Sequence, residues 1–356
     1  MTVPPFFRIP AHVDGAALFA AAERVEGKLQ RALPAIDRAL LAIRPDHTAS
    51  VIPDPQLPSE YWPEWFRRKI DNSLAYLQIY AYIIAQTIPK DRALRELALL
   101  DFGAGWGLMA LLAKEAGFGR VTYLDIDPGV TTAARAISET VDVRIDDYIC
   151  GSETALAGRP QRFDCVVSSD ALEHIYQPRK AFAAIRGVCH PNSIVFHHTG
   201  ANPRNLHQRI TLARLQRAEE AKIVEQRRQL IRETAPDLAL ERVAALATST
   251  RGLDRADIIS AVAEHRRTGA LPTPDHPTNT CYLSGYWLEH LMEPSDVARM
   301  MSECGYSTTV ERSFWGPGRS RFVPRIAKHA LNFLSSLSTG IGLKATYYYG
   351  IRGVAI

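Results

Sequence analysis

The segment Leu99-Leu100-Asp101-Phe102-Gly103-Ala104-Gly105-Trp106-Gly107 constrains this chain more than any other. An apolar run of strand character meets an acid, glycines recur at every second position, and a helix-forming sequence starts at Leu108. Glycines in such a turn reach positive φ without a Cβ penalty and let a ligand approach the backbone closely. The pattern fails GxGxxG, because the last position counted from Gly103 falls on Leu108. No GxxxxGK[ST] string is present, and Asp101-Phe102-Gly103 comes without the HRD and VAIK strings that accompany it in kinases. Nicotinamide binding, a phosphate-cradling loop and kinase chemistry are set aside on these grounds.

Around this turn the chain alternates. Leu97–Phe102, Arg120–Asp125, Val141–Asp146, Phe163–Ser169 and Ser193–His198 are apolar runs of strand length. Helical patterns lie between most of them, at Leu108–Ala116, Pro128–Ser138 and Pro178–Val188. That rhythm predicts βαβ units, hence a doubly wound α/β parallel sheet with helices on both faces and its site at the carboxyl ends of the strands.

The flanks differ. Residues 1–93 read as helical: Ala16 to Ile43 is Ala/Leu-rich, prolines punctuate 45–58, and a second helix runs from about Pro63 to Ile88. That helix carries Trp62, Trp65, Phe66, Tyr76, Tyr80 and Tyr82, read first as packing. Residues 94–199 form the α/β core and 200–285 a helical insertion after the fifth strand. Asn205 to Glu233 is one long helix, with Ile223, Val224, Leu230 and Ile231 repeating at seven-residue spacing. Between 201 and 270, 13 Lys/Arg against 9 Asp/Glu mark a solvated, mixed-charge surface. Residues 286–356 resume the rhythm with helix Ser295–Cys304, strand Thr308–Phe314 and strand Ala345–Ala355.

Composition narrows the setting. At 46% hydrophobic and 22% charged residues the chain can bury a core, and a net charge of +4 permits an anionic partner without arguing for one. Five scattered cysteines, an odd number without a CxxC pair, argue against a disulfide framework and against a zinc or iron–sulfur site. No basic segment followed by an apolar run opens the sequence, and Leu74 to Ile88 is too short for a membrane span, so a reducing, cytoplasmic setting is expected.

The string Asp101-x-Gly103-x-Gly105-x-Gly107 resembles motif I of the class I S-adenosylmethionine-dependent methyltransferases. Asp125, ending Tyr123-Leu124-Asp125-Ile126-Asp127-Pro128, resembles the family's ribose-gripping acid. Asp146 and Asp147 resemble its adenine-side position, with no choice between them. Phe163 to Ile175 looks like the fourth strand and its turn, and Cys189-His190-Pro191-Asn192-Ser193 resembles the "LKPGG" lead-in to strand five without its glycines. Met292 to Val297 and Cys304-Gly305-Tyr306 look like the late helix and its "aGF" end. The resemblance implies a Rossmann-like fold and a cofactor, S-adenosylmethionine, leaving S-adenosylhomocysteine as product. It would be held by Asp101, Gly103, Ala104, Gly105, Gly107, Asp125, Ile126, Asp146 or Asp147, and Ser169.

The chemistry at the acceptor is less constrained. Ser168-Ser169-Asp170-Ala171 departs from the [DN]PP[YF] motif of amine-methylating enzymes, which favours a hydroxyl acceptor and therefore a base. His174, His197, His198 and His290 are the candidates, with His198 or His174 first. Asp170-x-x-Glu173-His174 is the second arrangement weighed, a divalent metal site completed by His290. It resembles the ExxEH string of small-RNA 2′-O-methyltransferases and ubiquinone-pathway O-methyltransferases, with Asp in place of the first Glu. A small-molecule acceptor is the expectation, its pocket built from the aromatic helix, the insertion and the Tyr282–Trp287 segment. An RNA methyltransferase and a non-catalytic cofactor-binding protein are the alternatives, the first motivated by the pI of 8.8 and the Arg-rich insertion. The run Arg319–Leu343, basic and then apolar, packs as a terminal helix or meets a membrane surface or a homodimer partner.

Overall fold

A computed structural model of the chain describes residues 6–43, 67, 69–273, 290–314 and 325–356. The prolines at 45–58, Trp62, Trp65, Phe66, Tyr282–Trp287 and the basic start of the C-terminal run lie outside them. The chain divides into two compact units, one comprising 1–172, 178–200 and 294–356 and the other 173–177 and 201–293.

In the first unit, β1 (Ala98–Phe102), β2 (Arg120–Asp125), β3 (Asp147–Cys150), β4 (Phe163–Ser169), β5 (Cys189–Thr199), β6 (Tyr306–Arg312) and β7 (Tyr349–Ala355) form one sheet in the order β3-β2-β1-β4-β5-β7-β6. The pairings from β3 through β5 are parallel, whereas β7 runs antiparallel to both β5 and β6. Strand order reverses between β1 and β4, and a sheet of this kind opens a crevice at that switch point, beyond the carboxyl ends of its strands.

The helices α1 (Gly15–Ile43), α2 (Ser73–Ala85), α3 (Leu108–Ala116), α4 (Pro128–Thr140) and α5 (Pro178–Gly187) accompany the parallel strands. α1 presents Leu18, Phe19, Ala22, Val25 and Leu29 to the core at helical spacing, and its Pro34 lies inside the helix. α2 is buried nearly all round, through Leu77, Tyr80, Ala81, Tyr82, Ile83 and Ile84, and packs against α1, α3, β4 and β5. The expected core role of its aromatic residues holds for Tyr80 and Tyr82. α3 follows the glycine turn directly, and α4 is capped by Asp127, whose side chain accepts from the Val130 amide while Pro128 opens the first turn.

The third strand differs from its expected position. Val141, Val143 and Ile145 are buried among the core residues, yet they lie before the ladder, which begins at Asp147. Apolar alternation reports burial, and here the buried segment precedes the ladder without joining it. Asp142 takes a positive φ of 52° there, and the Val143 amide bonds back to Ser138 in α4.

The late elements are α9 (Pro294–Glu303), β6, α10 (Arg325–Leu337), α11 (Thr339–Ala345) and β7. Phe333, Leu334, Leu337 and Ile341 of the two terminal helices are exposed. Between these units of sequence, α6 (Leu206–Thr234), α7 (Leu240–Ser249) and α8 (Arg255–Thr268) build the second unit around Leu230, Ile231, Val243, Leu246, Ile258 and Val262. The seven-residue seam thus closes a local helical core. One member of its charged surface does not stay in solvent: the fully buried Arg227 donates from Nε to the Ala247 carbonyl at 2.6 Å and pairs with Glu220. Among the described residues no helix is long and apolar enough to cross a membrane.

β5 is held on its second side through His198↔Gly350 and Phe196↔Arg352, and the Phe196 ring occupies the space beside Gly350. A Cβ at Gly350 would come within 2.4 Å of that ring. Overpacking of a closed core costs about 1–3 kcal/mol, and Gly350→Ala should lower unfolding free energy by that amount in urea titrations.

Candidate functional site

The turn from β1 into α3 is built by backbone bonds to the end of β2. The Gly103 and Ala104 amides both donate to the Leu124 carbonyl, at 2.9 and 3.0 Å, and the Tyr123 hydroxyl donates to the Gly105 carbonyl at 2.8 Å. Gly103, Gly105 and Gly107 have φ of 70°, 52° and 73°. A Cβ on Gly103 would strike the Ala171 methyl at 2.4 Å, so the turn after β4 packs directly on it. A Cβ on Gly105 would meet nothing within 4 Å, which leaves open space above that backbone.

Asp125 closes the turn. One carboxylate oxygen accepts from the Gly105 amide at 2.8 Å and the other from the Asp127 amide at 3.0 Å. A carboxylate has about four lone-pair positions, so each oxygen keeps one for a ligand hydroxyl. Burial raises the Asp125 pKa, and the backbone donors oppose that rise.

Asp101 is the outlier. It is the penultimate residue of β1, beside Tyr123 and Val167, is fully buried, and neither oxygen closes a well-formed hydrogen bond. Burial pushes its pKa up to about 8; the Ala110 backbone amide lies near enough to oppose this, and the Asp125 charge adds to it. A buried carboxylate without a donor is costly, and such groups mark sites completed by a ligand.

The nucleoside- and sulfonium-bearing cofactor implied by the family fits these residues. Asp125 would grip two ribose hydroxyls, the open backbone at Gly105 would admit the chain linking nucleoside to amino acid, and Asp101 would meet positive charge.

Ser169 ends β4, and Asp170 follows with a positive φ of 50°, its Oδ1 accepting from the Gly200 amide at 2.9 Å. Ile126 follows Asp125 into the cap of α4. Asp146 and Asp147 take another place. Register aligns Asp147 with Thr122 and Cys150 with Asp125, so both acids sit at the amino end of β3, far along the strand from the crevice. Asp146 accepts from the Val121 amide at 2.7 Å and from Lys114 at 2.8 Å, and Asp147 pairs with Arg159. The position beside Asp125 belongs instead to Cys150, Gly151 and Ser152, with the Gly151 amide donating to the Asp125 carbonyl at 2.8 Å.

His198 lies at the end of β5, its Nε2 within 2.9 Å of Ser313 Oγ and its ring stacked on Tyr348 at 4.8 Å. His197 bonds Ser168 Oγ through Nδ1 at 2.8 Å. Both are buried, and burial depresses His197 to about 4 and His198 to about 3. In the second unit the His290 amide donates to the Glu173 carbonyl at 2.8 Å, which brings Glu173, His174 and His290 together; burial lowers His174 to about 4. Among the described residues no group of three His, Cys, Asp or Glu side chains is arranged to hold a metal ion.

Residues 100–197 match a family model described as a methyltransferase domain. The match is consistent with a class I S-adenosylmethionine-dependent methyltransferase core over that stretch. Ubiquinone biosynthesis O-methyltransferase of Hydrogenovibrio crunogenus is 26% identical over 112 residues, 32% of this chain and 46% of the relative. Its counterpart of Xanthomonas campestris pv. campestris is 30% identical over 104 residues, 29% of this chain and 43% of the relative. The chain therefore spans less than half the length of these curated relatives. An O-methyltransferase family protein from Burkholderia thailandensis superposes on 95% of this chain and 72% of its own, with a TM-score of 0.40 and 12% identity.

Sequence reasoning passed over Lys69. The lysine carried no signal within Arg67-Arg68-Lys69, although in the fold it feels the charges of Asp170, Asp101 and Asp125. Its neighbour Tyr76 appeared in the sequence only as part of an aromatic stripe.

The Asp101 shift has a stability consequence. Its folded-state pKa is raised, so between the ordinary carboxylate value and about 8 the folded chain holds a proton that the unfolded chain has lost. Stability from this group is therefore full at low pH and declines as pH rises to about 8. Asp101→Asn should raise the melting temperature of the ligand-free protein at pH 8–9 relative to the parent, and the two should converge near pH 4, as followed by thermal denaturation.

Proposed function

We propose that this chain is an S-adenosylmethionine-dependent methyltransferase that methylates a hydroxyl of a small-molecule acceptor. The observation that carries the reading is the pairing of an open, side-chain-free turn with a half-buried carboxylate, Asp125, and a fully buried one, Asp101, at the sheet's switch point. The match of residues 100–197 to a methyltransferase domain supports it. The hydroxyl preference draws on the missing [DN]PP[YF] string and on relatives named as O-methyltransferases.

When bound, the cofactor supplies an electrophilic methyl group on a sulfonium. The protein's part is alignment and exclusion of water, for which effective molarities correspond to about 7–11 kcal/mol. Asp125 fixes the nucleoside, the Gly103–Gly107 backbone fixes the depth of the chain, and Asp101 offsets positive charge. Burial keeps His198 and His174 neutral at physiological pH and too weakly basic to take a proton from a hydroxyl efficiently. In this reading His198 is a positioning group, holding Ser313 and Tyr348 at the end of β5.

A hydrogen bond to a charged group contributes about 1.5–3 kcal/mol, so Asp125→Ala should weaken S-adenosylhomocysteine binding by roughly ten- to a hundredfold in calorimetry. Unchanged affinity would remove Asp125 from the site and the proposal with it.

A further inference from the structure

The two terminal helices are packed with their polarity reversed. α10 and α11 lie against each other, and α11 also meets β6. The residues turned inward are small or polar: Ser335, Gly342 and, just beyond α11, Thr346 are buried. A Cβ on Gly342 would come within 2.7 Å of the Arg312 side chain of β6 and 3.0 Å of the Ser335 carbonyl, so the bare backbone permits that close approach and fixes which side of α11 faces solvent. The residues turned outward are large and apolar. Phe333, Leu334, Leu337 and Ile341 are 66%, 44%, 57% and 44% exposed. Positions 333, 334 and 337 share one face of α10 at helical spacing. Ile341 follows in the first turn of α11, where its amide donates to the Ser338 hydroxyl that caps the helix.

Single exposed apolar residues need no explanation, but a cluster of them marks a contact with something outside the fold. Charge identifies the occupant. From 312 to 356 the sequence holds no Asp or Glu, while Arg319, Arg321, Arg325, Lys328 and Lys344 precede or lie within the two helices. A second copy of this chain suits such a patch poorly, because a two-fold contact sets the patch against itself and like charges meet. An anionic lipid surface suits it well. Its headgroups attract Lys and Arg, and the boundary beneath them accepts apolar side chains from a helix lying in the plane. α10 and α11, of 13 and 7 residues, are too short to span a bilayer, which leaves its surface.

We propose that α10 and α11 form a docking surface for anionic membrane lipid, with Phe333, Leu334, Leu337 and Ile341 entering the boundary between headgroups and acyl chains. This docking is independent of the methyl transfer proposed above.

Sedimentation of the full chain with lipid vesicles tests it. At about 0.1 M salt the parent should bind vesicles of phosphatidylcholine with one-third phosphatidylglycerol at least about tenfold more tightly than vesicles of phosphatidylcholine alone, and about 0.5 M salt should remove most of that preference. Phe333→Ser combined with Leu337→Ser should weaken binding to the anionic vesicles at least about tenfold, and so should Leu334→Ser combined with Ile341→Ser. All four side chains are exposed, so both variants should keep the parent's melting temperature, which separates lost docking from lost folding. Failure of the parent to bind anionic vesicles, equal binding to both kinds of vesicle, or unchanged binding by the variants would each overturn the proposal. So would a dimer of the parent, seen by light scattering without lipid, that the same substitutions dissociate, because the apolar face would then belong to a second copy of the chain.

Discussion

The hydrogen bond from the Gly105 amide to the Asp125 carboxylate joins two strand ends that the chain otherwise connects only through α3. Because β1 and β2 run parallel, their carboxyl ends lie side by side, and the turn leaving one can be fastened to the acid ending the other. The Tyr123 hydroxyl and the Leu124 carbonyl reinforce the junction from the same strand. Everything proposed for the site assumes this geometry: a backbone with no side chain over it, a fixed acid beside it, and α3 and α4 starting at defined points.

Asp101 represents the opposite kind of constraint. A carboxylate sealed near the end of a central strand, with only the Ala110 amide close by to oppose its burial, works against the free protein, and tolerating it makes sense where binding supplies positive charge. The same logic extends to the N-terminal helices. They share a compact unit with the sheet, and α2 lies against β4 and β5, so residues that precede the glycine turn in sequence end beside it in space.

Much of this was legible in advance because short-range rules act on local strings. β2, β4 and α3 fall where apolar run length, an acid or serine at the strand end, and glycine spacing placed them. The third strand was misplaced because Val141, Val143 and Ile145 have the alternation of a strand and the burial of one, but not the partner. Once the ladder starts at Asp147, Asp146 and Asp147 exchange a place at the crevice for bonds to Val121, Lys114 and Arg159. Arg227 was read as part of a solvated surface because spacing does not reveal that a neighbouring helix will close over it.

The order of strands and helices, the glycine turn with its two acids, and the helical nature of the insertion follow from the residues alone, because each rests on interactions between near neighbours or on a period of the chain. Which acids reach the crevice and which histidines lose their basicity were decided only in the folded chain. Register, burial and charge proximity arise between segments far apart in sequence, and no local string encodes the distance between them.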